Sequence, residues 1–306
     1  MTTPNRPRTP RRAVNGILLF DKPRGFSSND ALQRVKRLFR AEKAGHTGNL
    51  DPLATGLLPI CFGQSTKLCG YLLDSDKRYV ARVKLGEKTA TGDTEGEVVQ
   101  RSDASALTRE AIEAVLPAFT GPIQQIPPMY SALKHQGQRL YELAREGIEI
   151  ERQPREVTIH GLQLTAFAPG EFEIDVHCSK GTYIRTLAED IAAALGQCAH
   201  LVALRRTVVS PFVGEVLTWE ALEAAAREGE SELDRCLLDP ASAVGDWAQV
   251  RVDADRAHYM SRGQAVRIAG APKAGRVAVL DPEGRLLGLA EVDADGMVAP
   301  KRWMST

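Results

Sequence analysis

The chain has 306 residues, a length that fits about two domains and can bury a large core without disulfide staples. With 43% hydrophobic and 25% charged residues it is neither disordered, collagen-like nor a coiled coil, and 39 basic against 39 acidic side chains leave no net charge to name a partner. That neutrality hides an asymmetry: residues 1–50 carry 11 Lys/Arg against three acids, and residues 211–306 carry 11 against 16, a basic amino-terminal end that fits either contact with a polyanion or a merely solvated tail and helix face.

Residues 1–12 read as a flexible basic tail. Asn15–Phe20 reads as a buried strand. Ser27-Ser28-Asn29-Asp30 offers N-caps for a helix with Leu32, Val35, Leu38 and Phe39 at helical spacing, which leaves Arg34, Lys36, Arg37 and Arg40 largely off the apolar stripe. Ala44–Gly56 is a glycine-rich loop running into a short strand, Leu57–Phe62, and Gln64–Leu73 fits a helix. Arg78–Leu85 alternates as a strand does, and Gly92–Gly96 turns the chain before Glu97–Gln100. Thr108 caps a helix through Phe119, closed by Gly121-Pro122. Beyond Pro127-Pro128 a basic segment leads into a helix over Arg139–Arg145. Glu156–Ala166 and Glu171–Cys178 pair antiparallel about Pro169-Gly170. Thr182–Leu195 is a helix with Ile184, Leu187, Ala188, Ile191 and Leu195 stepping by three and four. Leu201–Val209 is apolar with Arg205-Arg206 inserted, and Trp219–Arg227 and Glu232–Leu237 are short helices. After about Gly245 the texture changes to short β-like runs with turns at Gly263, Asp281–Gly284 and Asp293–Gly296.

Strands and helices do not alternate in a βαβ rhythm. The expected fold is therefore α+β: a mixed, mostly antiparallel sheet core with flanking helices over 13–245, followed by a small β module over 246–306. Five scattered cysteines (Cys61, Cys69, Cys178, Cys198, Cys236) without a C-x-x-C, and histidines remote from them, argue against a disulfide framework and structural zinc. The apolar run ending at Asp21 is too short for a signal peptide, and the uncharged stretch 114–133 is broken by four prolines. A soluble, cytoplasmic protein is expected.

The most informative stretch is Gly45–Lys67. A phosphate-cradling loop needs G-x-x-x-x-G-K-[ST] leading into a helix, and none of Gly45, Gly48 and Gly56 sits in that frame. An ordinary turn at Asp51-Pro52 suits any isolated Asp-Pro pair. In the third reading Asp51 is a reactive carboxylate on a rigid loop, with glycines allowing close backbone approach and Pro52 stiffening it.

Gly45-His46-Thr47-Gly48, Leu50-Asp51-Pro52, Ala54 and Gly56, with Gly63-Gln64-Ser65-Thr66-Lys67 downstream, closely resemble the signature of the TruB family of bacterial tRNA pseudouridine synthases. Lys77-Arg78-Tyr79 with Gly86, Thr89, Thr91, Gly92 and Asp93 looks like the family's second motif, and Gln125–Ala132 resembles a bacterial hallmark. Ser179–Arg185 with Leu187-Ala188 looks like the third motif, and Leu204-Arg205-Arg206-Thr207 like the fourth. The resemblance spans roughly residues 14–240. The last sixty residues are similar only in texture to the small PUA-type RNA-binding barrel. Asn49 departs from the smaller residue usual in the family, and Met1–Arg12 lies outside the match.

The resemblance implies an isomerase, a tRNA pseudouridine(55) synthase that breaks an N-glycosidic bond, turns the uracil and rejoins it through carbon. No redox change is involved, so no cofactor and no metal are implied. Asp51 would be the catalytic carboxylate. Arg185 would keep it ionised by lowering its pKa, although a helical pair with Glu189 is the plainer use of that arginine. Tyr79, on its own a strand aromatic, would stack on the target uracil and, in a second role, remove a proton from the substrate. Tyr183 and Leu204, which on their own read as core, would line the pocket. His46 would insert into the RNA and help hold the base out. Unstacking a base costs a few kcal/mol and a stacking contact returns about 1–3 kcal/mol, so two rings are the right number. Lys22 and Lys67 would lie near RNA or active-site backbone. The implied partner is the T-arm of tRNA, bound as a monomer through the basic helix Asn29–Arg40, an RNA-binding insertion at about 124–153 and the PUA-like module; the negative balance of residues 211–306 argues for a small share of the affinity from that end. Two other readings stand beside it: a tRNA-binding or tRNA-folding protein acting without catalysis, and, more weakly, a metal-dependent hydrolase using Asp51 with Asp93.

Overall fold

A computed structural model describes residues 10–304. Strand β1 (Gly16–Lys22) leads into helix α1 (Ser28–Leu38), which begins where a capping box forms: the Ser27 side chain accepts from the Asp30 N–H and the Asp30 carboxylate accepts from the Ser27 N–H. Strands β2 (Ala44–His46) and β3 (Thr55–Phe62) flank the Asp51 loop, and helix α2 (Cys69–Leu73) and β4 (Lys77–Leu85) follow. The expected helix over Gln64–Leu73 starts instead as a 3-10 turn, Gly63–Leu68, before α2.

A small hairpin, β5 (Glu87–Thr89) and β6 (Val98–Arg101), precedes helix α3 (Arg109–Val115), whose expected continuation tightens into a 3-10 turn at Pro117 because proline lacks the N–H an α-helix needs there. Strand β7 (Gly121–Gln125), the exposed hairpin β8 (Lys134–His135) and β9 (Gln138–Arg139), and helix α4 (Leu140–Arg145) complete the middle of the chain. Strands β10 (Arg155–Ala168) and β11 (Glu171–Cys178) form the expected hairpin. Helix α5 (Ile184–Ala194), strand β12 (Ala199–Val209) and helices α6 (Trp219–Glu228) and α7 (Glu230–Arg235) follow.

The large sheet has the order β1-β3-β12-β4-β11-β10-β7, with β2 on β3. All its pairings are antiparallel except β12 on β3, where Arg205 and Arg206 lie beside Thr55 and Gly56. One face packs Val83, Ile174, Val176 and Leu201 against Leu187 and Ile191 of α5; another cluster joins Phe20, Ile60 and Phe62 to Leu32 and Val35 of α1 and to its C-cap, Phe39. Truncating a buried leucine in such a layer typically costs about 2–5 kcal/mol. Tyr79 and Leu204 pack against both clusters and so stand at their seam.

The C-terminal module is a four-stranded sheet, β13 (Ala248–Arg251), β14 (Gly275–Leu280), β15 (Leu286–Val292) and β16 (Val298–Trp303), in that order. It also carries helix α8 (Ala254–Ser261), where strand texture alone is expected: Asp253 caps it and Met260 anchors it in the module's core. Ala278, Leu289 and Met304 join Ile17, Leu57 and Leu68 in a shared apolar cluster that seats the module on the large sheet.

The basic tail lies outside the described residues over 1–9. Arg12, expected within it, is anchored: its guanidinium makes two 2.7 Å bonds to Asp234 and donates to the Phe39 carbonyl at 3.0 Å.

Candidate active site

Three neighbours hold the loop between β2 and β3. The Leu50 N–H donates to Ser28 Oγ at 2.7 Å, at the start of α1, and the Gly25 N–H donates to the Pro52 carbonyl at 2.8 Å. From β12, Arg206 donates through Nε to the Leu57 carbonyl at 2.8 Å and through Nη1 to the Asn49 carbonyl at 3.5 Å. The two glycines are needed for different reasons: Gly48 (φ +132°) takes a backbone conformation that other residues rarely adopt, and a Cβ on Gly56 (φ +99°) would sit 2.2 Å from the Arg206 carbonyl oxygen. Asn49, the family departure, turns its side chain to solvent and offers only its carbonyl to the loop's support.

Asp51 projects from this loop toward Arg185 on the first turn of α5. Arg185 Nη2 lies 3.1 Å from Asp51 Oδ2 and also donates to the Tyr130 carbonyl at 2.7 Å; Nη1 donates to the Thr91 carbonyl at 2.7 Å. The arginine side chain is 8% exposed and Asp51's is 43% exposed, so the carboxylate, not its partner, reaches the surface. The alternative pairing of Arg185 with Glu189 does not form: Glu189 pairs with Lys88 at 3.0 Å. The expected lowering of the Asp51 pKa is also reversed. Loss of hydration pushes it up, Asp93 adds to that, and the opposing pull of Arg185 and Lys22 does not restore it. Asp93 is buried, accepts from Thr91 Oγ1 at 2.6 Å and the Glu95 N–H at 3.0 Å, and lies 3.9 Å from Arg185. Both of those bonds fall on Oδ1, and Oδ2 is the oxygen that faces the guanidinium.

Tyr79 on β4 and Tyr183 at the N-cap of α5 are half-buried, and burial raises the pKa of both phenols, so both are neutral hydroxyls at pH 7. Asp51's charge acts on each of them, and Arg185's on Tyr183, which brings the four residues into one electrostatic site. Leu204 lies on β12 opposite Ala81, two residues before Arg206, which faces Tyr79 in register. His46 ends β2; burial and the charge of Arg206 lower its pKa, leaving a neutral imidazole whose Nδ1 has no hydrogen-bond partner among the described residues.

The two lysines divide. Lys22 is fully buried, with Nζ donating to the carbonyls of Pro23 at 3.1 Å and Phe26 at 2.7 Å; burial lowers its pKa to about 8, and it reaches Asp51 by charge while its head group is closed to any RNA. Lys67 donates to the Trp303 carbonyl at 2.7 Å and ties the C-terminal module to the core, at the edge of a cleft that Lys43, Arg276 and Arg302 also line. Arg34 on α1 stacks on Trp219, and Arg40, just past the end of α1, pairs with Glu230, which withdraws both from the basic face.

Two residues at the site carry no role in the sequence reading. Gln125, 2% exposed, accepts from the Tyr183 N–H at 3.0 Å and donates to the Tyr183 carbonyl at 3.3 Å. Arg206 is buried under the Asp51 loop. Both stand in segments that resemble family motifs, Gln125–Ala132 and Leu204–Thr207; a charge at an inward position of an apolar strand was a further signal for Arg206, and an amide at the end of a strand gives none for Gln125. A cavity of about 480 Å³ between Thr89–Gly92, Ile126–Tyr130 and α5 reaches Arg185 and does not include Asp51. The Asp51 carboxylate lies outside that cavity, on the half-exposed side of its pair with Arg185.

The same fold occurs in the crystal structure of a Cbf5-Nop10-Gar1 complex, with a TM-score of 0.76 at 24% identity over 96% of this chain and 86% of that one. At the level of sequence, the N-terminal domain of the TruB family pseudouridylate synthases matches residues 36–184. The tRNA pseudouridylate synthase B C-terminal domain matches 185–244, and the pseudouridine synthase II TruB C-terminal domain matches 248–304. A Nitrosococcus oceani protein named tRNA pseudouridine synthase B is 50% identical over 290 residues, 94% of each chain, and a Pseudomonas putida protein of the same name is 53% identical over 294 residues, 95% of this chain and 96% of that one. The chain belongs to the TruB family of pseudouridylate synthases.

Proposed function

We propose that this chain is a tRNA pseudouridine synthase that isomerises uridine 55 in the T loop, with Asp51 as its catalytic carboxylate. In that reaction the N1–C1′ bond breaks, the uracil turns, the C5–C1′ bond forms, C5 loses a proton and N1 gains one. Atoms and electrons balance within the nucleotide.

The observation that carries the reading is the 3.1 Å pair between a surface-reaching Asp51 and a buried, doubly anchored Arg185. The guanidinium fixes where the carboxylate points and favours its charged form, while lost hydration keeps it basic enough to react. Tyr79 offers a neutral ring for the turned-out uracil, Tyr183 and Leu204 wall the pocket, and the neutral imidazole of His46 suits insertion among stacked bases. The cleft with Lys43, Lys67, Arg276 and Arg302, drawn from both ends of the chain, offers a local positive field that the overall charge hides. Lys134 and Arg139 on the exposed β8–β9 hairpin offer another. Action as a monomer in the cytoplasm, where tRNA is the substrate, completes the reading; among the described residues no helix is long and apolar enough to cross a membrane.

The test is to treat the purified protein with EDTA, add unmodified tRNA and map pseudouridine by position. Product at position 55 under chelation is expected. Asp51→Asn is expected to make none while binding tRNA within a few-fold of the parent protein. An active Asp51→Asn protein overturns the assignment, and tRNA binding by the parent protein without any product favours the tRNA-folding reading.

A further inference from the structure

Arg206 faces Tyr79 across the β12–β4 pair, in register with it. At 2% exposure it is among the largest fully buried side chains of the protein. Among the described residues its guanidinium forms no ion pair; its partners are the carbonyls of Leu57 and Asn49, and Nη2 is buried with no hydrogen-bond partner. The groups that feel its charge are His46, Lys22 and Lys77, each made harder to protonate, and the Tyr79 phenol, where it opposes the upward push of burial. The other charged or titratable groups acting on Tyr79 are Cys178 from β11 and Asp51 from the loop, and both raise its pKa.

A buried cation without a carboxylate is costly to a fold, and replacing it by an apolar side chain usually stabilises. Such a group is retained where negative charge gathers during the reaction.

We propose that Arg206 is a positioning residue of the active site, pinning the Gly48–Asn49 turn that carries Asp51 and keeping a free N–H for negative charge on the Tyr79 oxygen during turnover. This rests on the reading of Tyr79 as the group that takes a proton from the substrate. Because the resting phenol is neutral, the step runs through its minor ionised fraction, whose proton has left to solvent; the substrate C–H bond breaks, its proton joins the phenolate oxygen, and the electron pair stays on the substrate.

The experiment uses the full-length protein, Arg206→Met and Arg206→Lys, each also combined with Tyr79→Phe. Tyrosinate absorbance against pH is recorded for all, and subtraction of the Tyr79→Phe trace isolates Tyr79. Single-turnover rates against pH and tRNA affinity are measured alongside. In Arg206→Met, Tyr79 is expected to ionise about 1–3 pH units higher than in the parent, the opposite charge having gone. Its rate is expected to fall about 100-fold, with tRNA affinity within about threefold. Arg206→Lys keeps the charge but cannot span both carbonyls, so Tyr79 should titrate close to the parent while the rate falls about tenfold. A folded Arg206→Met protein with the parent Tyr79 titration, or with a rate within about threefold of the parent, overturns the proposal. If Arg206→Met does not fold, Arg206→Gln replaces it; if that fails too, the lysine protein decides, and a parent rate there overturns the proposal. Should the parent make no pseudouridine, the functional reading falls, and the Tyr79 titration still tests the placement of Arg206.

Discussion

A single nitrogen of Arg185, Nη2, serves both Asp51 Oδ2 at 3.1 Å and the Tyr130 carbonyl at 2.7 Å, while Nη1 holds the Thr91 carbonyl at 2.7 Å. One guanidinium thereby joins the Asp51 loop, the turn after β5 and the segment following β7. The geometry of the candidate site and the local fold share the same bonds.

Arg185→Ala should therefore fail on two counts. Two carbonyls lose their donor, and the buried Asp93 loses the nearby cation that offsets its charge. Removing one member of a buried pair costs about 3–5 kcal/mol, and the lower end applies because Asp51 itself is 43% exposed. Urea denaturation should record a loss of about 3 kcal/mol alongside a large fall in the single-turnover rate. A variant that unfolds at the parent's urea midpoint would show that these bonds do not support the fold.

The pH dependence follows from the direction of the Asp51 shift. Folded Asp51 holds its proton more tightly than in the unfolded chain, so its stabilising contribution is present below the unfolded pKa and is lost as pH rises through the folded one. The reactive carboxylate accumulates over that same rise. The acid limb of the single-turnover rate should lie above the ordinary aspartate range, and Arg185→Met should move it higher still, because the guanidinium opposes the shift. Asp51→Asn should abolish product at neutral pH without lowering the melting temperature. An acid limb that stays put in Arg185→Met would contradict the assignment of that limb to Asp51.

Gln125→Leu tests how Tyr183 is held. The amide accepts from the Tyr183 N–H and donates to its carbonyl at the very residue that caps α5 without a side-chain cap of its own. Leucine fills similar space and leaves the Tyr183 N–H without a partner, while the carbonyl keeps the Leu187 N–H at 3.0 Å, a loss of about 1–3 kcal/mol in thermal or urea denaturation. Displacing Tyr183 should also raise KM for tRNA more than it lowers kcat, since the ring is read as a wall of the pocket. Unchanged stability and kinetics would mean that the Gln125 bonds are incidental.

Most of the site was readable in linear order because its motifs are local. The glycine spacing around Asp51 and the helix carrying Arg185 are short-range patterns, and the structure brings the two side chains together. What sequence could not supply was register and burial. Lys22, read as lying near RNA or active-site backbone, is fully buried against two carbonyls of its own turn, because β1 runs into the interior. Arg206 meets Tyr79 only through the pairing of β12 with β4, strands more than a hundred residues apart. The direction of the Asp51 shift likewise turns on how much water the folded loop excludes, which no spacing rule contains. Helix α8 escaped because its sequence is short and mixed, and its cap Asp253 looks like any loop aspartate.

The cleft between core and C-terminal module allows a test of RNA binding separate from chemistry. The acidic excess of residues 211–306 lies before the module: residues 246–306 alone carry nine basic against eight acidic side chains, and the module places Arg276 and Arg302 beside Lys43 and Lys67. Their circumstances differ. Arg276 lies over the rings of Tyr71 and Trp247, and Lys67 is bound to the Trp303 carbonyl, so both serve the domain contact. Lys43 and Arg302 are exposed and, among the described residues, make no ion pair, which leaves their charge available to phosphates. Each phosphate contact contributes about 0.9 to the slope of log affinity against log salt on a duplex. Lys43→Gln with Arg302→Gln should therefore flatten that slope by about two and weaken tRNA binding at low salt, while the saturated single-turnover rate stays at the parent value. A double variant with the parent's salt slope would place the RNA backbone elsewhere, whereas one that lost the saturated rate would mean the cleft orders Asp51 rather than the tRNA.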